Sequence, residues 1–314
     1  MSGSNGIAGF HYLLDGSTHA IMMFIQKEDL KFYFLGWDEQ SGKWYRFNAG
    51  YPLGSGRRNT PLAAVRAEGE NPATVHLFYI DTDNRIKEYL LPHQSGWRPG
   101  ATLPADDIAD SSDLAAVATG KGSGLELRVF YQKTDATVEE LRFYNGSWHK
   151  ARQFTDAKAG TGLTVLNSDA YKGLDATPFL HLFYVGQVKY DKLIHQSAKG
   201  GDDWTPEQLL EQGGGGLTSV SWSAYNNNEM MLHFPNGDSP GEVVGMLYTS
   251  NTGWDCARLP DYTVKSHNRP LASVAFFPAQ GLTIGVFVKS AEAQIEEMYY
   301  EKGDWKGTRT INVF

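Results

Sequence analysis

The sequence has little of what several large classes of protein require. A single cysteine, Cys256, excludes an internal disulfide and a zinc site built from cysteines. The net charge is −8 and lysine and arginine form no block, which argues against nucleic acid and anionic membranes as partners. No apolar run approaches the length of a membrane span. Stability therefore has to come from burial of apolar surface.

Targeting and cofactor motifs are equally scarce. The N-terminus, MSGSNGIAGF, has no basic region and no apolar core, so we expect a cytoplasmic chain, or a secreted or vesicular one if a leader was trimmed. Asn145 begins an NGS triplet that would be a glycosylation acceptor only after secretion. The glycine-rich segments lack the lysine and helix of a phosphate loop, and no metal-binding or nucleophile motif is present. We expect no metal and no cofactor.

Tryptophans divide the sequence into six units. They lie 50 to 56 residues apart, at Trp44, Trp97, Trp148, Trp204, Trp254 and Trp305. Each follows an apolar strand, a polar turn and a second strand, as in LRVFYQ, KTDA and VEELRFY of the third unit. Most units also have an apolar run upstream, and each has a short segment downstream of the tryptophan. The pattern therefore predicts four strands in each unit.

This period predicts an all-β fold, a six-bladed β-propeller of four-stranded antiparallel blades. We expect a single domain over residues 1–314, with blades at approximately 7–52, 60–104, 113–155, 162–210, 217–260 and 270–314. The small aliphatic runs should line the axis, and the tryptophans should wedge between blades or hold the turn before the fourth strand. A homodimer is compatible with the sequence.

The hairpin and tryptophan register resembles that of the fungal fucose-specific lectins, which are six-bladed propellers, over essentially the whole chain. The resemblance implies that fucosylated glycans bind between neighbouring blades. An arginine of the second strand and a glutamate of the third would hold the sugar hydroxyls, and aromatic rings would cover its apolar face. In the third repeat these positions are Arg128 and Glu140, with Phe143 at the nearby aromatic position.

The other five repeats depart from that pattern. Their two positions hold Met22 and Phe32, His76 and Glu88, His181 and Lys192, Met231 and Gly245, and Gly285 and Glu297. A single residual site would remove the multivalency on which such lectins depend. Nearby in sequence are the aromatic residues Trp37, Trp222, Tyr225, Tyr248 and Tyr300. Pockets of that composition favour small hydrophobic or aromatic substrates.

Two functions from different classes follow. The first is a hetero-Diels–Alderase, because lectin-like fungal propellers that join a tropolone o-quinone methide to a humulene-type sesquiterpene are similar in fold. That resemblance implies a cofactor-free pericyclase that holds both reactants in a near-attack geometry. His181 and Lys192 would be catalytic, as proton and hydrogen-bond donors. The substrate contacts would be Arg128, Glu140, Phe143, His76, Glu88, Trp222, Tyr225, Met22, Met231 and Tyr300.

The second function is a fucose-binding lectin with one residual site at Arg128 and Glu140. Simpler interpretations also remain open for individual residues. Met22 and Met231 could be packing residues, and Arg128 with Glu140 could be a cross-strand ion pair. An interaction scaffold without a small-molecule site is a third possibility, although no specific residue favours it.

Overall fold

The computed structural model describes residues 6–14, 17–46, 53–67, 73–92, 96–120, 124–169, 178–187, 192–200, 202–210, 218–224, 227–235, 243–249, 253–257, 271–276, 281–291, 294–301 and 304–312. All regular elements in these ranges are strands, numbered β1 to β24. No helix in the described part of the chain is long and apolar enough to cross a membrane.

The strands form six blades of four. Blades 1 to 3 contain β1 (Ile7–Leu13), β2 (His19–Gln26), β3 (Phe32–Asp38) and β4 (Lys43–Arg46); β5 (Leu62–Ala67), β6 (Thr74–Ile80), β7 (Ile86–Pro92) and β8 (Arg98–Thr102); and β9 (Leu114–Thr119), β10 (Glu126–Gln132), β11 (Val138–Tyr144) and β12 (Ser147–Phe154). Blades 4 to 6 contain β13 (Leu163–Asp169), β14 (Pro178–Val185), β15 (Leu193–Lys199) and β16 (Asp203–Leu210); β17 (Thr218–Ala224), β18 (Asn227–Pro235), β19 (Val243–Thr249) and β20 (Gly253–Ala257); and β21 (Leu271–Phe276), β22 (Thr283–Ala291), β23 (Gln294–Glu301) and β24 (Asp304–Asn312).

Every blade is an antiparallel sheet in which the strands follow chain order from the inside to the outside. The inner strands contact one another in a closed ring, from β1 through β5, β9, β13, β17 and β21 back to β1. Small residues in runs such as LAAVRA, LAAVAT and LASVAF let these strands converge on the axis. The predicted six-bladed propeller of four-stranded antiparallel blades is confirmed.

The six tryptophans join neighbouring blades. Each packs edge-on against a ring in the second strand of the preceding blade, at centroid distances of 5.4 to 6.3 Å. The pairs are Trp97 with Phe24, Trp148 with Phe78, Trp204 with Phe130, Trp254 with Phe183, Trp305 with His233 and Trp44 with Phe287. The last pair closes the circle between blades 6 and 1, so the wedge role predicted for the tryptophans is confirmed.

Buried glutamines tie the links between blades to the hairpins. Gln26 donates to the carbonyls of Leu30 and Arg57 at 3.1 and 2.8 Å, and it accepts a hydrogen bond from the amide of Thr60. Gln132 makes the corresponding three contacts in blade 3. The turn and the link thereby satisfy backbone groups that burial would otherwise leave unpaired.

Candidate functional site

The strand register defines the residues that face each interface between blades. In blade 3, Glu140 of β11 lies opposite Phe130 of β10, and Arg128 is two residues before Phe130. Residues two apart on a strand share a face, so all three point in the same direction. Trp204 of blade 4 packs against Phe130 on that face. The two positions singled out in the sequence therefore face the following blade.

The same register in the other blades corrects two assignments. From blade 1 to blade 6 the paired positions are Met22 and Phe34, His76 and Glu88, Arg128 and Glu140, His181 and His195, Met231 and Gly245, and Gly285 and Glu297. Phe32 and Lys192 are therefore not at the glutamate position. In blade 4 the hairpin has two more residues between these positions than in blade 3, so spacing alone misaligned it.

Lys192 is not brought to His181. It precedes β15 in the hairpin connection, where its carbonyl accepts a hydrogen bond from Gly186 at 2.7 Å. His181 lies opposite Ser197, five residues further along, which is about 16 Å at the rise of a strand. The predicted catalytic pair is therefore wrong as a pair, and His195 takes the place assigned to Lys192.

Arg128 and Glu140 form a buried ion pair between blades 3 and 4. Nη1 of Arg128 donates to Oε1 of Glu140 at 2.6 Å, and each side chain is 2% exposed. Burial raises the pKa of Glu140, while the neighbouring Arg128 guanidinium opposes this by favouring the carboxylate. We name the surface made by Arg128, Glu140 and Trp204 the Arg128 cleft.

Further charges cover this pair. Nη2 of Arg128 donates to Glu126 at 3.1 Å and lies 3.7 Å from Oδ1 of Asp202 in blade 4. Arg142 donates to both oxygens of Glu126, at 2.9 and 2.6 Å, and also contacts Asp202. The Asp202 side chain is 65% exposed and therefore forms the outer layer of the network. Sequence patterns gave no indication of Asp202, because it belongs to the neighbouring blade.

The aromatic residue expected at this cleft lies elsewhere. Phe143 is three residues after Glu140, and an odd separation on a strand places it on the opposite face. It packs with Trp148 in the cluster between blades 2 and 3, at a centroid distance of 5.5 Å. The residue of blade 4 that corresponds to Phe143 is Ala198, which is buried in the Arg128 interface. The assignment of Phe143 to the Arg128 cleft is therefore wrong.

Trp204 supplies the aromatic surface of the Arg128 cleft instead. Its ring packs edge-on against Phe130 and Phe154, with centroids 5.9 and 5.2 Å away. Its indole N–H interacts with the Glu140 carboxylate and favours the charged form of that group.

His76 and Glu88 form a closed pair between blades 2 and 3. Nδ1 of His76 lies 2.8 Å from Oε1 of Glu88, and Oε2 accepts a hydrogen bond from the amide of Ala101 at 2.9 Å. Both side chains are buried. A Cβ at Gly100 would meet Oε2 of Glu88 at 2.4 Å, so the carboxylate is packed against the outer strand. Both carboxylate oxygens of Glu88 are thus hydrogen-bonded within the protein.

His181 and His195 form a neutral pair between blades 4 and 5. Nδ1 of His181 lies 2.8 Å from Nε2 of His195. Burial lowers the pKa of His181 to about 3, with a further contribution from His195, and burial lowers the pKa of His195 to about 4. Both rings are therefore uncharged near neutral pH, which does not suit the proton-donor role predicted for His181.

The methionine positions are filled by packing. Met22 is buried in a cluster that joins blades 1 and 2, together with Phe24 and Phe34. Met231 is buried between blades 5 and 6, where Tyr300 packs against the same cluster. These three side chains belong to the core between blades. Tyr225 and the side chain of Trp222 lie outside the described residues.

The interface between blades 6 and 1 contains an open cavity. Its volume is about 210 Å³, and it is lined by Glu297 and by Arg309 of β24, which was not among the predicted site residues. We name it the Arg309 cleft; Gly285 of blade 6 and Trp37 of blade 1 also line it. The described residues contain no group of three or more His, Cys, Asp or Glu side chains that could hold a metal ion.

Comparisons with known proteins point to one family. Residues 15–234, more than half of the chain, match the family described as fungal fucose-specific lectin. A segment of 206 residues is 23% identical to the fucose-specific lectin of Aspergillus fumigatus and covers 63% of this chain and 62% of the relative. A segment of 123 residues is 29% identical to the fucose-specific lectin of Aspergillus oryzae and covers 39% of each. The chain thus spans less than two thirds of the length of these relatives.

Solved structures show the same architecture. The six-bladed lectin of Aleuria aurantia superposes with a TM-score of 0.81 at 16% identity, covering 99% of this chain and 96% of that one. A variant of that lectin in complex with α-methyl-L-fucoside gives a TM-score of 0.81 at 16% identity, with the same coverage of 99% and 96%. A lectin from Burkholderia pseudomallei gives 0.72 at 13% identity, covering 98% and 84%. At these identities the similarity shows the fold.

Proposed function

Because the chain belongs to the fungal fucose-specific lectin family, we propose that it binds a fucose-type sugar in the Arg128 cleft. The observation that carries the proposal is the buried contact of 2.6 Å between Arg128 and Glu140 on the face toward blade 4. A guanidinium and a carboxylate held side by side offer donors and acceptors to neighbouring hydroxyls. The bound fucoside in the Aleuria lectin variant is a property of that relative, and it supports the choice of ligand.

We expect the sugar hydroxyls to bind among the charges around Arg128. Glu126 accepts a hydrogen bond from Nη2 of Arg128 at 3.1 Å. Asp202 lies 3.7 Å from the same nitrogen. A sugar hydroxyl that bound this nitrogen would take the position of the more exposed Asp202 carboxylate. The Glu140 carboxylate would accept from a second hydroxyl, and the Trp204 ring would cover C–H bonds. Binding therefore requires a modest rearrangement of Asp202, which lies at the turn between β15 and β16.

The test follows the indole N–H resonances of ¹⁵N-labelled protein during titration with methyl α-L-fucoside. We expect the Trp204 resonance to shift saturably with the fucoside and to stay unmoved with methyl α-D-glucoside. Arg128→Lys keeps the charge beside Glu140 but loses the two-pronged donor geometry, so affinity should fall by about tenfold or more. Arg57→Lys is the matched control, because Arg57 is a partly buried arginine that binds Asn84 in a link between blades. A Trp204 resonance that does not shift on addition of the fucoside would falsify the proposal.

The hetero-Diels–Alder activity predicted from the sequence stays a prediction, and the geometry gives it weaker support. His181 has a buried, uncharged partner in His195 rather than Lys192, and Met22 and Met231 pack into the core. Incubation with a tropolone o-quinone methide precursor and a humulene-type alkene would test it. Cycloadduct yield or stereochemistry that depends on His181 would revive the activity, and yields equal to the uncatalysed reaction would reject it.

A further inference from the structure

The Arg309 cleft is lined by aromatic rings and by carboxylates. It lies between blades 6 and 1 and has a volume of about 210 Å³. The aromatic residues in its wall are Trp37, Phe276 and Tyr299, and the acidic residues are Glu39, Glu297 and Glu301. The function proposed for the Arg128 cleft makes no use of this cavity.

The wall of the cleft carries an excess of negative charge. Among the described residues that line it, Arg309 is the only basic one. Its Nη2 donates to Oε1 of Glu297 at 2.9 Å and its Nε donates to Oε2, so this guanidinium is directed at one carboxylate. The Glu39 carboxylate forms no ion pair within the described part of the chain. Three ionised carboxylates against one guanidinium leave a net charge of −2.

Two aromatic rings form the apolar part of the wall. Trp37 of blade 1 and Phe276 of blade 6 have their ring centroids 5.6 Å apart and their planes tilted by 47°. His11 and His19 of blade 1 pack against Phe276 at 5.1 and 5.2 Å and so hold this ring in place. The face of a tryptophan ring is the strongest aromatic partner for a cation. This apolar wall therefore also attracts positive charge.

Arg309 shows how the wall accommodates a cation of the protein itself. Its guanidinium lies over the Tyr299 ring at 5.0 Å and binds the buried Glu297 carboxylate. A ring face and a carboxylate together thus stabilise this positive charge. Trp37 and Glu39 offer the same combination in the same cavity. A cation supplied from outside would find there the kind of contacts that Arg309 already makes.

Charge and size define the class of ligand. The excess of negative charge disfavours an anion and favours a cation. A volume of about 210 Å³ is below the roughly 300 to 1,000 Å³ typical of drug-sized ligands, so the ligand has a single ring or a short chain.

We propose that the Arg309 cleft binds a small organic ammonium ion. The charged nitrogen lies beside the carboxylates of Glu39 and Glu301, and the apolar part of the ligand lies against Trp37 and Phe276. This inference goes beyond the proposed function, because it concerns a different cleft and a different class of ligand.

Three probes of similar size and different charge test the proposal: benzylammonium, benzyl alcohol and benzoate. Each is titrated near neutral pH into ¹⁵N-labelled protein, and the indole N–H resonance of Trp37 is followed. Trp37→Phe assigns this resonance among those of the eight tryptophans. We expect a saturable shift with benzylammonium. The midpoint should be about tenfold higher for benzyl alcohol, which lacks the charge, and benzoate should give no saturable shift.

Two variants locate the bound cation. Glu39→Gln removes a charge without changing the size of the side chain, so the benzylammonium midpoint should rise by about threefold to tenfold. Glu301→Gln should act in the same direction. Glu28→Gln is the matched control, because Glu28 is exposed and lies in the turn between β2 and β3, at the opposite end of this hairpin from Trp37. Its midpoint should equal that of the wild type.

Four outcomes would overturn the proposal. Equal midpoints for benzylammonium and benzyl alcohol would show that the cleft selects apolar ligands rather than cations. Saturable binding of benzoate would show that Arg309 dominates the cleft. A Trp37 resonance that responds to no probe would reject the site, and wild-type midpoints in both Glu39→Gln and Glu301→Gln would place the ammonium ion elsewhere. None of these results bears on fucoside binding, which is measured at Trp204.

Discussion

The Arg128 and Arg309 clefts hold the same pair of groups in opposite settings. In both, a buried glutamate of the third strand binds an arginine. The Arg128 side chain comes from the second strand, inside the blade, and is 2% exposed, whereas that of Arg309 comes from the outer strand and is 42% exposed. The strand that supplies the arginine thus decides whether the pair closes an interface or lines a cavity.

The partners of each arginine extend the contrast. Arg128 is shared among Glu126, Glu140 and Asp202, so its donors are directed at protein carboxylates. Arg309 binds Glu297 and stacks on Tyr299, which leaves part of its guanidinium toward the cavity. One site therefore holds a stronger internal network, and the other offers easier access. The following predictions test this difference, beginning with the largest effect.

Removal of each arginine should separate the two clefts by stability. Arg128→Ala leaves Glu140 buried without its partner, which typically costs about 3 to 5 kcal/mol in the free energy of unfolding. Arg309→Ala should cost less, about 1 to 3 kcal/mol, because water can reach Glu297 through the open cavity. Denaturant unfolding of both variants measures the difference. Equal losses would show that exposure of the arginine is irrelevant to its structural role.

The interface between blades 4 and 5 holds a buried pair without charge, and the pH dependence of the free energy of unfolding tests its effect on stability. The pKa values of His181 and His195 lie at about 3 and about 4, below the ordinary value of 6.5. As pH falls below about 6.5, the unfolded chain takes up protons that the folded chain refuses, so the free energy of unfolding decreases. Each such histidine contributes up to about 1.4 kcal/mol per pH unit.

A double variant isolates this effect. His181→Met with His195→Phe copies the apolar pair Met22 and Phe34 of blade 1. Between pH 6.5 and pH 4.5 it should lose about 3 to 5 kcal/mol less than the wild type, measured by unfolding at each pH. His233, whose pKa burial lowers to about 3, is present in both proteins, so its contribution cancels. Parallel pH profiles would mean that the two histidines keep ordinary pKa values.

The fold could be predicted from the sequence because each blade repeats the same local pattern, and the tryptophan spacing marks every interface. Arg128 and Glu140 could be paired for the same reason. Phe143 was misplaced although strand alternation contains the answer, since it is an odd number of residues from Glu140.

The positions of Lys192 and Arg309 could be determined only from the structure. The hairpin of blade 4 is longer by two residues than that of blade 3, which no fixed spacing anticipates. Arg309 meets Glu297 only after a bulge shifts the register between β23 and β24. Contacts of this kind depend on how the strands pair.

Asp202 gives the smallest effect and the most direct test of the internal network. A sugar that binds Arg128 must compete with the Asp202 carboxylate, which lies 3.7 Å from Nη2 and also contacts Arg142. An exposed ion pair of this type is worth up to about 1 kcal/mol, so Asp202→Ala should tighten fucoside binding at the Arg128 cleft by up to about fivefold.

The measurement is the fucoside concentration that half-shifts the Trp204 resonance, with Asp203→Ala as a control that removes the same charge one position along. Weaker binding in Asp202→Ala would reverse the interpretation, since the carboxylate would then help to hold the sugar. In that case the two clefts would not differ in how easily a ligand enters them. They would differ only in the strand that supplies the arginine.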